Sequence, residues 1–280
     1  MGPGSGPELL AVRLPGLTPY APAWRLQQRL AGARRDGELP DLLLLLEHPP
    51  VYTVGRGGRE TEILLDGEAR RRLGVEVHRV DRGGRVTFHG PGQLVGYGIV
   101  DLRGVKGGVH GYLRSMEAGL IAALARLGIA ARREEGLTGV WVGDEKIAAI
   151  GIRVTRGISM HGFALNVDPD LSYFGGIIPC GIRDRGVTSI RRLLGTAPGL
   201  DTVARVVTEE LAAALGRRLV WARDASLLAP WAGDLELYLS GRGAALRTDP
   251  ADPSGEICRA GALGKNRPAG SAEGAGLSSR

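Results

Sequence analysis

Cysteine is almost missing from this chain. Of its 280 residues only two are cysteine, Cys180 and Cys258, and the second lies in a polar, glycine-rich stretch, so there is no disulfide framework and both read as free thiols. Aromatic residues make up only 5% and the arginines are scattered, which argues against a base-stacking surface and against nucleic acid as the partner. The longest apolar run, Leu42 to Leu46, falls far short of the ~20 residues of a membrane span. No basic segment followed by an apolar one opens the chain, so the expected location is the cytoplasm, with no membrane partner. The histidines stand at 48, 78, 89, 110 and 161 without the close spacing of a zinc site, and no metal is expected. Gly-x-Ser-x-Gly, a Gly-Lys-Ser/Thr phosphate loop and a strand–GxGxxG–helix unit are all lacking, which removes the commonest hydrolase and nucleotide-binding readings.

What is present is an ordinary globular composition, 43% hydrophobic and 24% charged, with a formal charge of +6 and a pI near 9.7. The basic balance favours an acidic partner. The first seven residues or so and the stretch 241–280 are rich in Gly, Pro, Ser and Ala and are expected to be disordered, leaving 1–235 as a single domain. Pro22, Trp24, Leu26 and Leu30 suit an amphipathic helix that stops at Arg34–Gly37. Asp41 to Glu47 reads as a buried strand, broken by Pro49 and Pro50 and resumed at Val51 to Val54. Another strand is expected at Val75 to Val80. Tyr112, Leu113, Met116, Leu120, Ala123, Leu124 and Leu127 repeat at helical spacing before Gly128, and short strands are expected at Val140 to Val142, Ile147 to Val154 and Gly162 to Val167. Asp201 or Thr202 would cap a further helix through Val203, Val207 and Leu211 to Gly216. Hairpin-like strands with separated helices predict an α+β fold.

Three places carry candidate chemistry. Arg82 to Tyr97 (RGGRVTFHGPGQLVGY) holds glycines that let backbone approach a ligand, beside Arg82, Arg85, Thr87, His89 and Gln93; it is a substrate-lining loop or, equally, a tight hairpin. Cys180 stands between Pro179 and Gly181. A lone cysteine is more often a small buried hydrophobe than a nucleophile, and a thiol of pKa about 8.5 needs a base or cation beside it to work at neutral pH. Lys146, between the Gly143–Glu145 turn and the apolar run from Ile147, is a candidate base at the edge of a core. His89 and His161 are rival bases, or hydrogen-bonded structural histidines.

Taken together, LEHPPVYTVGRGG (Leu46 to Gly58), the Arg82–Tyr97 block, GVWVGDEKIAAIGIRV (Gly139 to Val154), HGFALNV (His161 to Val167) and IIPCGI resemble the lipoyl(octanoyl) transferase family in order and content. The resemblance covers most of 42–185. It implies the fold of lipoate and biotin protein ligases, a mixed, mostly antiparallel sheet flanked by helices. It also implies Cys180 as acyl-thioester nucleophile and Lys146 as its activator. The implied substrate pocket is lined by Arg82, Gly83, Gly84, Arg85, Val86, Thr87, Phe88 and His89, by Ala149, Ile150 and Gly151, and by Gly162, Phe163 and Ala164. The implied partners are an acyl carrier protein as donor, and lipoyl domains of 2-oxoacid dehydrogenase complexes and the glycine cleavage H protein as acceptors, with no ATP and no metal. Ile178 stands where asparagine often precedes the Pro-Cys pair, and typical members lack the tail beyond about 235. The alternatives are an ATP-dependent lipoate ligase of the same fold, which needs no cysteine, and a non-catalytic acyl- or nucleic-acid-binding module.

Overall fold

Eleven strands form two sheets among the residues that the computed structural model describes, 7–178 and 185–235. In chain order they are β1 (Glu8–Leu17), β2 (Asp41–Glu47), β3 (Val51–Val54), β4 (Glu76–Arg79), β5 (Val86–His89), β6 (Gln93–Ile99), β7 (Arg132–Glu134), β8 (Leu137–Val142), β9 (Glu145–Thr155), β10 (Ile158–Asn166) and β11 (Arg218–Trp221). The helices that matter here are α1 (Tyr20–Arg35), α2 (Gly67–Arg72), α3 (Gly108–Arg126), α4 (Ile190–Leu194) and α5 (Leu200–Ala214). The larger sheet runs β11-β1-β2-β6-β10-β9-β8-β7 and the smaller β4-β3-β5. In the larger sheet β1 pairs in parallel with β2 and β11, and every other pair is antiparallel. The expected α+β architecture, a mixed and mostly antiparallel sheet flanked by helices, is what the chain adopts.

β2 explains the core. Its leucines alternate between two layers: Leu43 and Leu45 pack with Leu120 and Leu124 of α3 and Val207 and Leu211 of α5, while Leu42, Leu44 and Leu46 pack with Leu26 and Leu30 of α1. A strand covered on both faces reads as a continuous apolar run rather than an alternating one. Burying five such leucines contributes on the order of 10 kcal/mol before the entropy of ordering them is set against it.

Three departures from expectation have identifiable causes. β1 was not anticipated because Pro15 and Gly16 interrupt its pattern; the register with β2 shifts between Arg13 and Leu17, which accommodates a residue with no N–H to donate. The Arg82–Tyr97 block is not a hairpin. β5 joins the small sheet beside β3 and β6 joins the large one between β2 and β10, so the intervening turn carries the chain from sheet to sheet. Gly92 sits there at φ +81°, donates to Glu47 Oε1 at 2.9 Å and accepts from the N–H of Asp168 at 2.9 Å. Finally, neither Asp201 nor Thr202 caps α5. Gly199 occupies the cap with no side-chain hydrogen bond, and Asp201, inside the first turn, pairs instead with Arg13 at 3.2 Å. The expected disorder of the termini concerns residues that, apart from Pro7, lie outside those described.

Candidate active site

A cavity of about 200 Å³ opens where the Arg82–Arg85 loop crosses β9 and β10. Arg82, Gly84, Arg85, Val86, Thr87 and His89 line it from the loop and β5, Ala149, Ile150 and Gly151 from β9, and Gly162, Phe163 and Ala164 from β10. Two residues expected in the lining are placed elsewhere. Gly83 donates its N–H to Ile152 O at 2.9 Å, pinning the loop to β9, and Phe88 turns to the other face of β5, stacked on Tyr173 with centroids 4.8 Å apart. The loop comes this close because Gly151 has no side chain; a Cβ there would stand 2.9 Å from Gly83 O, which real structures do not tolerate without movement.

The two arginines of the loop brace it. Arg82 is buried and its Nη2 donates to both the carbonyl and the hydroxyl of Thr53 at 2.7 Å, while Nη1 donates to Gly83 O at 3.0 Å. Arg85 Nε donates at 3.0 Å to the carboxylate of buried Glu62. Charge-assisted bonds of this kind hold a loop far more firmly than exposed ion pairs do.

Lys146 lines the cavity from the start of β9, half-buried. Its Nζ donates to Thr138 O at 3.3 Å and stands 4.7 Å from the centre of the Trp141 ring. Its backbone N–H donates to Gly186 O, and its C=O accepts from the N–H of Thr188, both at 3.0 Å. The chain that re-enters after residue 184 is thereby fixed against Lys146. Cys180 itself lies outside the described residues.

Away from Lys146 the lining is aromatic and polar, with Tyr20, His89, Tyr97 and His161. Tyr97 Oη is 2.6 Å from Nε2 of His48, whose Nδ1 is 2.5 Å from Thr18 O. Complete burial pushes the His48 pKa down to about 4, and burial likewise lowers that of His89 well below its ordinary value. His89 Nδ1 lies 2.8 Å from Gln93 Oε1. His161 takes a left-handed backbone, φ +59°, and its Nε2 lies 2.8 Å from Asp81 Oδ1. Burial pulls its pKa down against the opposing pull of that carboxylate. The histidines weighed as bases are therefore buried, bonded and biased to the neutral form. Among the described residues no group of His, Cys, Asp or Glu could hold a metal ion.

Residues 19–212 match the family described as the lipoyl protein ligase A/B catalytic domain. An octanoyltransferase of Rubrobacter xylanophilus is 55% identical over 206 residues, 73% of this chain and 92% of its own length. A mitochondrial octanoyltransferase of Arabidopsis thaliana is 40% identical over 79% of this chain and 96% of its own. The chain belongs to the octanoyltransferase family. It is an acyltransferase, and the cavity between the two sheets is its candidate active site. Its fold is also that of a putative lipoate protein ligase from Thermoplasma acidophilum solved with lipoic acid, with a TM-score of 0.65 at 18% identity over 82% of this chain and 94% of the other.

Part of this acyltransferase's lining escaped sequence reasoning. Tyr20, Gly136, Leu137 and Thr138 belong to no segment singled out for the site, and Tyr97 was only the end of one. No local signal marked Tyr97, whose partner His48 stands in the HPP break and reaches it only once β2 and β6 are paired. Among the described residues no helix is long and apolar enough to cross a membrane.

Proposed function

We propose that this enzyme takes an octanoyl group from the thioester of an acyl carrier protein onto Cys180 and passes it to the acceptor lysine of a lipoyl domain. The observation that carries the reading is Lys146, held at the cavity lining beside the returning chain of residues 185–188, in a chain 55% identical to an octanoyltransferase. Lys146 accepts the Cys180 thiol proton and its ammonium then steadies the thiolate. The thiolate attacks the acyl carbonyl, a carbon–sulfur bond forms to Cys180, and the one to pantetheine breaks as that thiol leaves with the proton. Thioester exchange is nearly balanced in free energy, so neither ATP nor a metal is needed. The acceptor lysine then attacks acyl-Cys180 as the neutral amine; a carbon–nitrogen bond forms, the carbon–sulfur bond to Cys180 breaks, and Lys146 relays the amine's proton to the departing thiolate while backbone N–H groups near Gly151 or Cys180 hold the oxyanion.

The acceptors on this reading are lipoyl domains of 2-oxoacid dehydrogenase complexes and the glycine cleavage H protein, and the reaction runs in the cytoplasm. The +6 charge suits acidic partner proteins, whose encounter it would speed. Residues 1–235 act as one catalytic domain. The test is transfer from octanoyl-acyl carrier protein to a purified lipoyl domain in the absence of ATP. Octanoylation of the acceptor lysine is the expected result. Modification that requires free octanoate and ATP would replace this reading with that of a ligase.

A further inference from the structure

We propose that the Tyr97 ring, braced from behind by His48, is the stop that sets how long an acyl chain the cavity accepts. The inference rests on the acyl-transfer reading and adds to it the group that selects the chain. Lys146 and Gly136–Thr138 line one part of the cavity; Tyr20, His89, Tyr97 and His161 line another. Strand register separates the two. Tyr97 pairs with Gly162 and Gly162 with Gly151, and Gly151 is five positions along β9 from Lys146. That places Tyr97 roughly 17 Å along the strand and roughly 10 Å across the sheet from Lys146, measured between backbones, a gap narrowed from both ends by the two side chains, which themselves line the cavity. A chain whose carbonyl reacts near Lys146 runs past Ala149–Gly151 and Gly162–Ala164 with its methyl end toward Tyr97.

The wall it meets cannot recede without breaking buried bonds. Thr18 O can only accept, so Nδ1 of neutral His48 carries the proton and Nε2 accepts from the Tyr97 hydroxyl. Both residues are fully enclosed, at 0% and 3% exposure. The rings around them are packed just as closely: the His48 centroid lies 5.1 Å from that of Tyr20, 5.8 Å from that of His89 and 5.8 Å from that of Tyr97. Displacing Tyr97 would leave a buried hydroxyl and a buried imidazole nitrogen unpaired, a loss that one more methylene in an apolar slot does not offset. The walls along the way, Ala149, Ile150 and Ala164, meet every chain alike and cannot distinguish its length.

The test gives the enzyme an equimolar mixture of hexanoyl, octanoyl, decanoyl and dodecanoyl carrier protein and reads the acyl distribution on a lipoyl domain by mass. Tyr97→Leu, which opens the end of the cavity, is expected to raise the decanoyl-to-octanoyl ratio about ten-fold or more. Tyr97→Phe keeps the ring and removes only its bond to His48, and is expected to raise that ratio about three-fold. A purely structural role would lower transfer of every chain together, so an unchanged ratio in Tyr97→Leu overturns the proposal. Should Tyr97→Leu fail to fold, the ratio in Tyr97→Phe decides in the same way. No transfer of any chain by the parent enzyme would instead overturn the acyl-transfer reading itself.

Discussion

Lys146 stands half-buried at the start of β9, its ammonium beside the Thr138 carbonyl and the Trp141 ring, next to chain that returns after residue 184. Tyr97 and His48, in the same cavity wall and behind it, are enclosed in the core with hydroxyl and imidazole bonded in series back to the Thr18 carbonyl. The first environment puts an ammonium at the cavity, where on the proposed reading it serves a thiol, a leaving group and an incoming amine in turn. The second holds a surface still. On the proposed reading the enzyme needs both, since its reacting groups must meet different partners while its acyl slot must offer each the same shape.

The largest expected effect breaks the Lys146 end. Lys146→Arg keeps the positive charge and its contacts to Trp141 and Thr138 but cannot give up a proton at working pH, so transfer is expected to fall by about a hundred-fold or more. The melting temperature should stay close to that of the parent. A rate within a few-fold of the parent would remove Lys146 from the chemistry.

The next effect sharpens the comparison through pH. The His48 pKa is about 4 in the folded chain against 6.5 ordinarily, so the unfolded chain takes up this proton first as pH falls. Stability from this group is complete above about pH 6.5 and declines toward pH 4, by up to about 3 kcal/mol. His89 and His161 are lowered in the same direction and add to the decline. Thermal melts from pH 7.5 to 4 check this, and His48→Gln should show a shallower fall. The smallest effect removes one bond from the rigid end: Tyr97→Phe leaves His48 Nε2 unpaired and should cost about 1–3 kcal/mol in denaturant unfolding. An equal loss in Lys146→Arg would erase the distinction between the two ends.

The same contrast runs through what the chain discloses before folding. α3 and β2 were legible because periodicity and apolar content act over neighbouring residues, and Lys146 stood out because a turn and an apolar run flank it. β1 was hidden by Pro15 and Gly16. The division of Arg82–Tyr97 between two sheets was hidden because nothing local distinguishes a hairpin from a change of sheet. The lining segments at 149–151 and 162–164 were anticipated only through resemblance, and 82–89 from its residues only as one of two equal readings, as repeating glycines and small residues have many structural uses. Tyr97 and His48 became partners through the pairing of β2 with β6, 49 residues apart in the chain, and no pattern within either segment points to the other.

Covalent transfer through Cys180 would show in the intact mass of the purified protein after incubation with octanoyl-acyl carrier protein and no ATP, beside Cys180→Ser. One octanoyl group on the parent, released by hydroxylamine, discharged by a lipoyl domain and missing from the variant, is the predicted result. An unmodified parent, with acceptor octanoylation only when free octanoate and ATP are supplied, would contradict it.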